Sequence, residues 1–535
     1  MSDIPPSPHI RMPHCDVEDQ ANMHSIKSIP VATLLLSILI VFSSFVLQGN
    51  KGFNLWDEGF LWYGVQRVLQ GEVPIRDYMA YDPGRYYWSA ALLSIIGKDD
   101  IMSLRAVVAI FQALGLFAGL FLIVQAEKQK SRFSTLFWIL SALTLAVWMF
   151  PRHKLFDISV SIMLIGALTF LISNPTPRRY LIAGIAVGMI AVFGRNHGLY
   201  GAAGSLGVIA WLSIQKDDNP GFLKGAALWG AGVAIGFLPI ILMALFTPGF
   251  LSAFIYSIRL LFEQNSTNLP LPIPWPWTVE VTKLPADLAI RPILIGFYFV
   301  STLVFGAIAI AWIVYRRIIG LPVPPAFAAS AFLALPYAHF AFSRADIGHL
   351  AQGIYPTIIG LFVILATARP LTKWAFSGFL FITSLAVMFS VHPGWQYLVS
   401  KQFVDVNIAG HNLQVDPGTA KDIELLRKLS SEIPEGHSLV ATPFWPGAYA
   451  LLNRKSPMWE IYALFPKSPA FENTEIDRIK ASNPSTVIIL DIALDGREEL
   501  RFKNTHPQTY KYIIENFDLT PTPSNPAYLI YTARK

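Results

Sequence analysis

The stretch IMSLRAVVAIFQALGLFAGLFLIV, residues 101–124, carries a single charged side chain, Arg105. A helix of about 20 apolar residues is long enough to cross the hydrocarbon core of a bilayer. Similar runs recur along the chain of 535 residues, of which 53% are hydrophobic and only 14% are charged. Because soluble proteins carry about a quarter charged residues, this composition predicts a polytopic membrane protein.

The apolar runs predict about eleven transmembrane helices. We place these helices at 30–48, 101–124, 133–150, 158–173, 181–194, 198–214, 225–246, 290–314, 322–341, 350–366 and 373–391. The segment GRYYWSAALLSIIG, residues 84–97, is short for a crossing, and its aromatic start predicts a helix in the membrane interface.

The short loops between these runs indicate the orientation, because Lys and Arg are more frequent on the cytoplasmic side of a membrane. One set of alternate loops holds eleven Lys and Arg residues, and the opposite set holds four. The richer set, which we expect to be cytoplasmic, is 127–132, 176–180, 216–224, 315–317 and 368–373. The poorer set, which we expect to be outside, is 151–157, 194–198 and 343–349.

This orientation divides the chain into three parts. Residues 1–28 are expected to form a disordered cytoplasmic tail, and residues 29–391 a transmembrane domain with large outer loops at 49–100 and 247–289. Residues 392–535 then lie outside. Short apolar runs alternate there with amphipathic segments, which predicts a small extracytoplasmic α/β domain with a mainly parallel sheet. This domain contains no glycine-rich phosphate loop and no nucleophile motif, so we expect it to bind an acceptor or to stabilise the protein.

The chain has one cysteine, Cys15, so no disulfide can form within it. Residues 1–28 lack the basic start and early apolar stretch of a signal peptide. Together these features favour a bacterial inner membrane with the outer face in the periplasm, and an endoplasmic reticulum membrane is the alternative. The net charge of +6 is scattered over short loops rather than clustered, so it does not indicate nucleic acid as a partner.

The stretch NLWDEGFLWYG, residues 54–64, places Asp57 and Glu58 side by side among aromatic residues just after the first apolar run. A carboxylate near an apolar boundary can take a proton from a hydroxyl or an amine, or can ligate a divalent metal. The alternative is a structural one, because acidic residues also favour the first turn of a helix.

Each short outer loop pairs an arginine with a histidine, although outer loops should be poor in cations. The planar guanidinium group can bind two phosphate oxygens at once. These loops therefore predict a shared anion site, formed by Arg152, His153, Lys154, Arg195, His197, Arg344 and His349. Asp346 could orient its neighbours, and Arg85 and Arg259 are weaker candidates. The alternative is that these long side chains extend to lipid headgroups.

The order of residues in the first outer loop resembles the GT-C superfamily of polyprenyl-phosphate-sugar-dependent glycosyltransferases. The resemblance is to the protein O-mannosyltransferase and aminoarabinose transferase type (family 39-like). An acidic pair is followed by a Gly-x-x-Pro turn, an Asp, a proline–aromatic interfacial helix that ends in Gly, and an Arg that opens the next span. The matching residues are Asp57–Glu58, Gly71, Pro74, Asp77, Pro83, Tyr86–Trp88, Gly97 and Arg105.

The resemblance implies that Asp57 takes the proton of the acceptor and that Glu58 supports Asp57 or binds a metal with it. No cofactor is required in the superfamily as a whole, although some members use a divalent metal such as Mg or Mn. The implied partners are a polyprenyl-phosphate-linked sugar donor, membrane lipids and an extracytoplasmic glycan, lipid or protein acceptor. The supporting candidates are Asp77, Asp82, Arg85 and Asp346. Outside the first loop the sequence departs from these families, which leaves the sugar and the acceptor open.

The sequence thus predicts an integral membrane glycosyltransferase, moving a hexose or a pentose with inversion and with Asp57 as the general base. A lipid-linked sugar flippase or transporter is one alternative, for which ionisable or broken segments near the membrane midplane would be expected. A non-catalytic protein of cell-envelope polysaccharide assembly is another. The stretch NLPLPIPWPWTV, residues 268–279, cannot form a regular helix, and we expect it to be a flap or a rim over a lipid groove.

Overall fold

The computed structural model of the chain describes residues 17–127, 134–215, 219–264, 267–283, 285–400, 402–520 and 527–534. Most of the predicted disordered tail lies outside these ranges. From Val17 onward, however, the chain is helical and continues without a break into the first apolar run. Residues 17–28 are described as the first turns of this helix.

The described part of the membrane domain is almost entirely helical. In chain order its helices are α1 (Val17–Gln48), α2 (Asp57–Leu69), α3 (Pro83–Ile96), α4 (Ile101–Ala126), α5 (Ser134–Trp148), α6 (Leu155–Ser173), α7 (Pro177–Phe193), α8 (Arg195–Leu212), α9 (Gly221–Gly236), α10 (Leu238–Phe246), α11 (Phe250–Glu263), α12 (Ala286–Ile318), α13 (Pro325–Ser343), α14 (Ile347–Gly353), α15 (Tyr355–Ala366) and α16 (Pro370–Met388).

Fewer of these helices than predicted are suited to crossing a membrane alone. Among the described residues, six are long and apolar enough to cross, or up to eight if each of two bent pairs is one span. The predicted number of about eleven is therefore not confirmed. Helix α5, for example, has 15 residues and is only about 22 Å long, which is shorter than a hydrocarbon core of about 30 Å.

Two of the predicted spans are broken rather than continuous. The span expected at 225–246 bends by 52° between α9 and α10, and the span expected at 350–366 belongs to a pair that bends by 50° between α14 and α15. In both, a proline is the second residue of the later helix, Pro239 in α10 and Pro356 in α15. A proline has no N–H to donate and disfavours helical geometry in the residue before it, so each helix starts anew there.

The two large loops that the sequence predicts to lie outside, 49–100 and 247–289, contain helices of their own, and they keep the names first and second outer loop. The first holds α2 and the predicted interfacial helix, which is α3 and ends at Gly97 with a φ of +72°. The second holds α11, an amphipathic helix that the sequence analysis did not identify. The proline-rich stretch that follows α11 is irregular, as predicted, apart from one short turn at Pro276–Thr278.

The C-terminal domain has a mixed sheet flanked by helices. Its elements are α17 (Pro393–Ser400), β1 (Val404–Ile408), β2 (His411–Val415), α18 (Pro417–Glu432), β3 (Ser438–Thr442), α19 (Pro446–Leu452), α20 (Pro469–Ser482), β4 (Pro484–Leu490), α21 (Phe502–Thr505), α22 (Pro507–Asn516), β5 (Phe517–Thr520) and β6 (Tyr528–Ala533). The four-stranded sheet has the order β3-β4-β6-β5, and β1 and β2 form a separate antiparallel hairpin.

The prediction of a mainly parallel sheet is wrong. Only β3 and β4 are parallel, whereas β6 is antiparallel to both of its neighbours. The connection between β5 and β6 explains part of this result, because a parallel pair needs a crossover of about a dozen residues or more. The connection here is shorter, so the chain returns as an antiparallel strand.

The C-terminal domain packs closely on the first outer loop. Gly447 of α19 donates its backbone N–H to the carbonyl of Leu55 at 2.8 Å. A Cβ atom added to Gly59 of α2 would lie 2.4 Å from the Cα of Gly447, and one added to Gly447 would lie 2.5 Å from the carbonyl oxygen of Leu55. Two glycines therefore allow two backbones to touch, which fixes the domain against α2.

Replacing Gly447 with alanine is expected to loosen this docking. The added methyl group meets backbone atoms that cannot rotate away, and overpacking of this kind costs about 1–3 kcal/mol. Hydrogen exchange in detergent should show faster exchange in α2 and α19. Gly378→Ala is the matched control, because nothing lies within 4 Å of its added Cβ atom. Equal exchange in both variants would contradict the proposed role of the glycine contact.

Candidate active site

A cavity of about 360 Å³ lies where the membrane helices meet the C-terminal domain. The start of α2, the short turn Arg152–Lys154 before α6, the segment that follows α13 and the C-terminal domain all contribute to its wall. The predicted site residues that line it are Asp57, His153, Lys154, Arg344, Asp346 and His349. The cavity therefore joins the acidic residue of the first loop to two of the three cation-bearing loops.

Asp57 is the first residue of α2, and its carboxylate faces this cavity. One oxygen, Oδ1, accepts a hydrogen bond of 3.0 Å from the hydroxyl of Tyr462. The other, Oδ2, lies 3.8 Å from Nε2 of His153, and the side chain remains 35% exposed. The positive end of the helix dipole favours a carboxylate at this position. Asp57 thus has one fixed oxygen and one near a histidine, with access from the cavity.

Glu58 does not share this environment, although it is the next residue. Its side chain is buried, and its two oxygens accept hydrogen bonds of 2.7 Å from Nε and Nη2 of Arg105. Burial alone would raise the pKa of Glu58, but the adjacent charge and hydrogen bonds of Arg105 outweigh it and hold this pKa below its ordinary value. Successive residues of a helix point in directions about 100° apart, which separates the two carboxylates.

Arg105 connects Glu58 to the end of the first apolar run. Its guanidinium group also donates to the carbonyls of Gly49 and Gly52, at 2.6 and 2.8 Å. All of these contacts are buried or partly buried. Glu58 and Arg105 therefore act as a structural pair that ties α2 to α4 and to the end of α1.

The divalent metal that some members of the GT-C superfamily use, left open by the sequence, does not fit the donor set around Asp57. Among the residues that the structure describes, no group of three or more His, Cys, Asp or Glu side chains is arranged to hold a metal ion. Both oxygens of Glu58 are occupied by Arg105, so Glu58 cannot serve as the second ligand beside Asp57. The described residues around Asp57 therefore do not form a metal site.

The loop at 151–157 divides its basic residues between two directions. His153 and Lys154 line the cavity, and Nζ of Lys154 donates to the hydroxyl of Tyr81 at 3.1 Å while lying 4.3 Å from the centre of its ring. Arg152 turns the other way and donates to the carbonyls of Gln48 and Lys51. Lys154 thus brings a positive charge to the cavity, whereas Arg152 does not.

The loop at 194–198 stays outside the cavity, because carboxylates from other segments contact both of its basic residues. Arg195 pairs with Asp82 at 2.5 Å. His197 lies buried between Asp157 and Tyr337, at 3.0 and 2.8 Å. This loop therefore does not join the predicted anion site.

Arg85 belongs to the same buried network as His197. It donates two hydrogen bonds to Asp157, at 2.8 and 3.0 Å. Through Asp157, the network links α3, α6 and α8, and Tyr337 extends it to α13. Arg85 and Asp82 therefore hold helices together rather than face the cavity.

The loop at 343–349 reaches the cavity with its charges already paired. Arg344 donates two hydrogen bonds to Asp495, at 2.8 and 2.9 Å, and one to Asp346 at 2.9 Å. Nδ1 of His349 lies 3.0 Å from Asp346, which also accepts the backbone N–H of His349 at the start of α14. Two carboxylates therefore balance Arg344, which leaves Lys154 as the more available cation.

Two remaining candidates lie apart from the cavity. Asp77 accepts hydrogen bonds from Arg76 and from the backbone of Val73, which shapes the turn before α3. Arg259 is exposed on α11. Among the described residues that line the cavity, neither Asp77 nor Arg259 is found.

The sequence did not predict the residues that the C-terminal domain and the second outer loop contribute to the cavity wall. Tyr462, Leu464 and Asp495 come from the C-terminal domain, and Asn268 comes from the proline-rich stretch of the second outer loop. None of these residues belongs to a motif with a recognisable chemistry. The nearest available signal was the change of composition at residue 392, which predicted a separate domain but not its contacts.

Comparison with protein-family models and with curated proteins finds no match for this chain. Among solved structures, it is similar to the oligosaccharyltransferase of Archaeoglobus fulgidus. The apo form is 13% identical, and the form tethered through a disulfide bond to an acceptor peptide with the NVT sequon is 12% identical. For both, the TM-score is 0.44, and the alignment covers 95% of this chain and 74% of the other.

Proposed function

We propose that the chain is a membrane glycosyltransferase that moves a sugar from a polyprenyl-phosphate donor to a hydroxyl or amine acceptor. The observation that supports this proposal best is the position of the partly exposed Asp57 carboxylate in one cavity with the Lys154 ammonium group. The cavity adjoins the ends of apolar helices that are suited to crossing a membrane. A proton acceptor and a phosphate partner are the two groups that such a transfer requires.

In the proposed reaction, the acceptor oxygen or nitrogen attacks the anomeric carbon and gives its proton to Asp57. The bond from that carbon to the phosphate oxygen breaks at the same time, and the bonding electrons stay with the phosphate. The lipid thus leaves as a phosphate monoester with one more negative charge than it had in the donor. Attack from the face opposite the leaving group inverts the configuration of the anomeric carbon.

Lys154 is placed to stabilise this growing charge. Among the described residues, no carboxylate forms an ion pair with it, and its contact with Tyr81 holds the ammonium group beside the cavity. A fixed positive group near the leaving oxygen lowers the barrier, because it interacts more strongly with the transition state than with the donor. His153 and His349 supply further donors at the same wall.

The direct experiment supplies the purified protein with labelled polyprenyl-phosphate sugars and a panel of acceptors. We expect a new glycoside of inverted configuration to appear together with free polyprenyl phosphate. Movement of the intact donor across vesicle membranes without a new glycoside would instead support a flippase. Absence of both, with every donor tested, would contradict the proposal and favour a non-catalytic role in cell-envelope polysaccharide assembly.

Replacing Lys154 with methionine is expected to weaken the binding of polyprenyl phosphate by about 10- to 100-fold. This estimate follows from the worth of a hydrogen bond to a charged group, about 1.5–3 kcal/mol, and methionine keeps the apolar contact with Tyr81. Binding can be measured by titration in detergent micelles. Lys98→Met is the control, because Lys98 is an exposed lysine of the same outer loop as Asp57. Unchanged affinity in the Lys154 variant would contradict its role.

A further inference from the structure

We infer that Tyr462 is a positioning residue for Asp57, so that the C-terminal domain completes the candidate active site. The hydroxyl of Tyr462 donates a hydrogen bond of 3.0 Å to Oδ1 of Asp57, across 405 positions of the chain. This inference rests on the proposed role of Asp57 as the general base. It goes beyond that role, because it makes the outer domain a part of the site rather than a separate module.

Packing fixes the ring of Tyr462. Its centroid lies 5.7 Å from that of Phe60 in α2 and 6.0 Å from that of Phe444 after β3, and both pairs are tilted or edge-on. The next residue, Ala463, donates its backbone N–H to the carbonyl of Pro443 at 2.8 Å. The two aromatic contacts and this backbone hydrogen bond therefore fix the ring of Tyr462, so that its hydroxyl stays next to Asp57.

The segment that carries Tyr462 is bound to the first outer loop along its length. The backbone N–H of Ser456 donates to the hydroxyl of Tyr63 at 3.0 Å. Trp459 donates its indole N–H to the carbonyl of Ile75 at 3.0 Å and accepts the backbone N–H of Met79 at 2.8 Å. Because these bonds join the domain to α2 and to the segment that follows α2, docking of the domain and placement of Tyr462 occur together.

The hydrogen bond from Tyr462 gives the two oxygens of Asp57 different roles. Burial, together with the negative charge of Asp57, raises the pKa of Tyr462 well above its ordinary value, so its hydroxyl keeps its proton and always acts as the donor. The bond fixes Oδ1 and with it the rotation of the carboxylate. Oδ2 then points to the side of His153, where it is free to take the acceptor proton.

The test replaces Tyr462 with phenylalanine, which keeps the ring and removes only the hydroxyl. A carboxylate that rotates freely is less often in the reactive orientation, so we expect kcat to fall about tenfold, with a change of less than about twofold in KM for the donor. Loss of a donor also favours the protonated carboxyl group. The acid side of the activity profile should therefore move upward by about 0.5–1 pH unit.

A second readout does not depend on transfer. Infrared difference spectra report the carbonyl stretch of a protonated carboxyl group, and the band of Asp57 is the one that Asp57→Asn removes. In Tyr462→Phe, the pH midpoint of this band should rise by about 0.5–1 unit. Tyr528→Phe is the matched control, because Tyr528 donates to Asp422 at 2.6 Å within the same domain and away from the cavity. It should leave both readouts unchanged.

The outcomes separate this inference from the proposed function. If Asp57→Asn stops transfer while Tyr462→Phe changes neither the rate nor the midpoint, the positioning role is wrong and the proposed function stands. If no donor yields a glycoside, the proposed function is wrong, and an unshifted infrared midpoint would then also reject the contact. If Tyr462→Phe has the same thermal unfolding midpoint as Tyr528→Phe, a loss of rate in Tyr462→Phe does not come from misfolding.

Discussion

Replacing Asp57 with asparagine is expected to lower kcat/KM for sugar transfer by about 10²- to 10⁴-fold, the usual contribution of a general base. Asparagine has nearly the same shape and can still accept the hydrogen bond from Tyr462, but its amide cannot take a proton. Binding of polyprenyl phosphate should change little, because the proposed phosphate partner is Lys154. The measurement is a rate with labelled donor under single-turnover conditions, together with a binding titration.

Asp99→Asn is the control for this variant. It makes the same chemical change at an exposed position of the same outer loop, so its rate should equal that of the unaltered protein. A rate for Asp57→Asn within about threefold of the control, far less than the loss of a general base, would remove Asp57 from the chemistry. Equal loss of rate and of donor affinity would instead indicate that Asp57 binds the donor.

Replacing Glu58 with alanine is expected to destabilise the fold by about 3–5 kcal/mol, because it leaves the charge of Arg105 buried without its partner. Both side chains are less than 10% exposed, so the unpaired guanidinium group stays largely shielded from bulk water. Steric trapping or unfolding in mild detergent measures this free energy. Any protein that remains folded should keep most of its transfer activity, since Glu58 does not line the cavity that contains Asp57.

Glu280→Ala is the control for the Glu58 variant. Glu280 pairs with Lys283 at the surface, where both side chains are more than half exposed. An exposed pair of this kind contributes less than about 1 kcal/mol. If Glu58→Ala were as stable as this control but inactive, Glu58 would belong to the chemistry after all, and the structural reading of the pair would be wrong.

The contrast between these neighbouring residues shows where sequence reasoning stops. The position of Asp57 after the first apolar run was enough to identify it as a candidate, and the structure places it in a cavity with His153 and Lys154. The sequence could not tell which carboxylate faces this cavity, because that depends on the rotation of α2. The rotation is set by tertiary contacts, above all by the pairing of Glu58 with Arg105.

The arginine and histidine residues of the short outer loops also depend on tertiary contacts that the sequence does not show. The pattern of one arginine and one histidine in each short outer loop predicted one shared site. The structure gives the loop at 194–198 a different explanation, since Asp82 pairs with Arg195 and Asp157 contacts His197 away from the cavity. Those carboxylates lie 113 and 40 positions away. A count of charges in loops therefore cannot distinguish a binding site from a buried ion pair.

The fold was predictable where a local pattern determines it. The apolar runs located the helices of the membrane domain, although the number of spans is not confirmed. Among the described residues, α5, α7 and α8 are not long and apolar enough to cross alone, and two further predicted spans are bent at prolines. In the C-terminal domain, the short apolar runs HSLVATP, STVIILD and AYLIYTA likewise correspond to β3, β4 and β6. Their directions depend on which strands meet, and the contact of Tyr462 with Asp57 depends on domain docking. No local sequence pattern predicts the strand directions or this contact.

A structure of the protein with bound polyprenyl phosphate, determined by electron cryomicroscopy, would show where the phosphate group binds. We expect phosphate density in the cavity beside α2, within hydrogen-bond distance of Nζ of Lys154, about 2.7–3.2 Å. Space for a sugar ring should remain between the phosphate and Asp57. Phosphate density outside this cavity, for example beside Arg195, would overturn the proposed roles of Lys154 and Asp57.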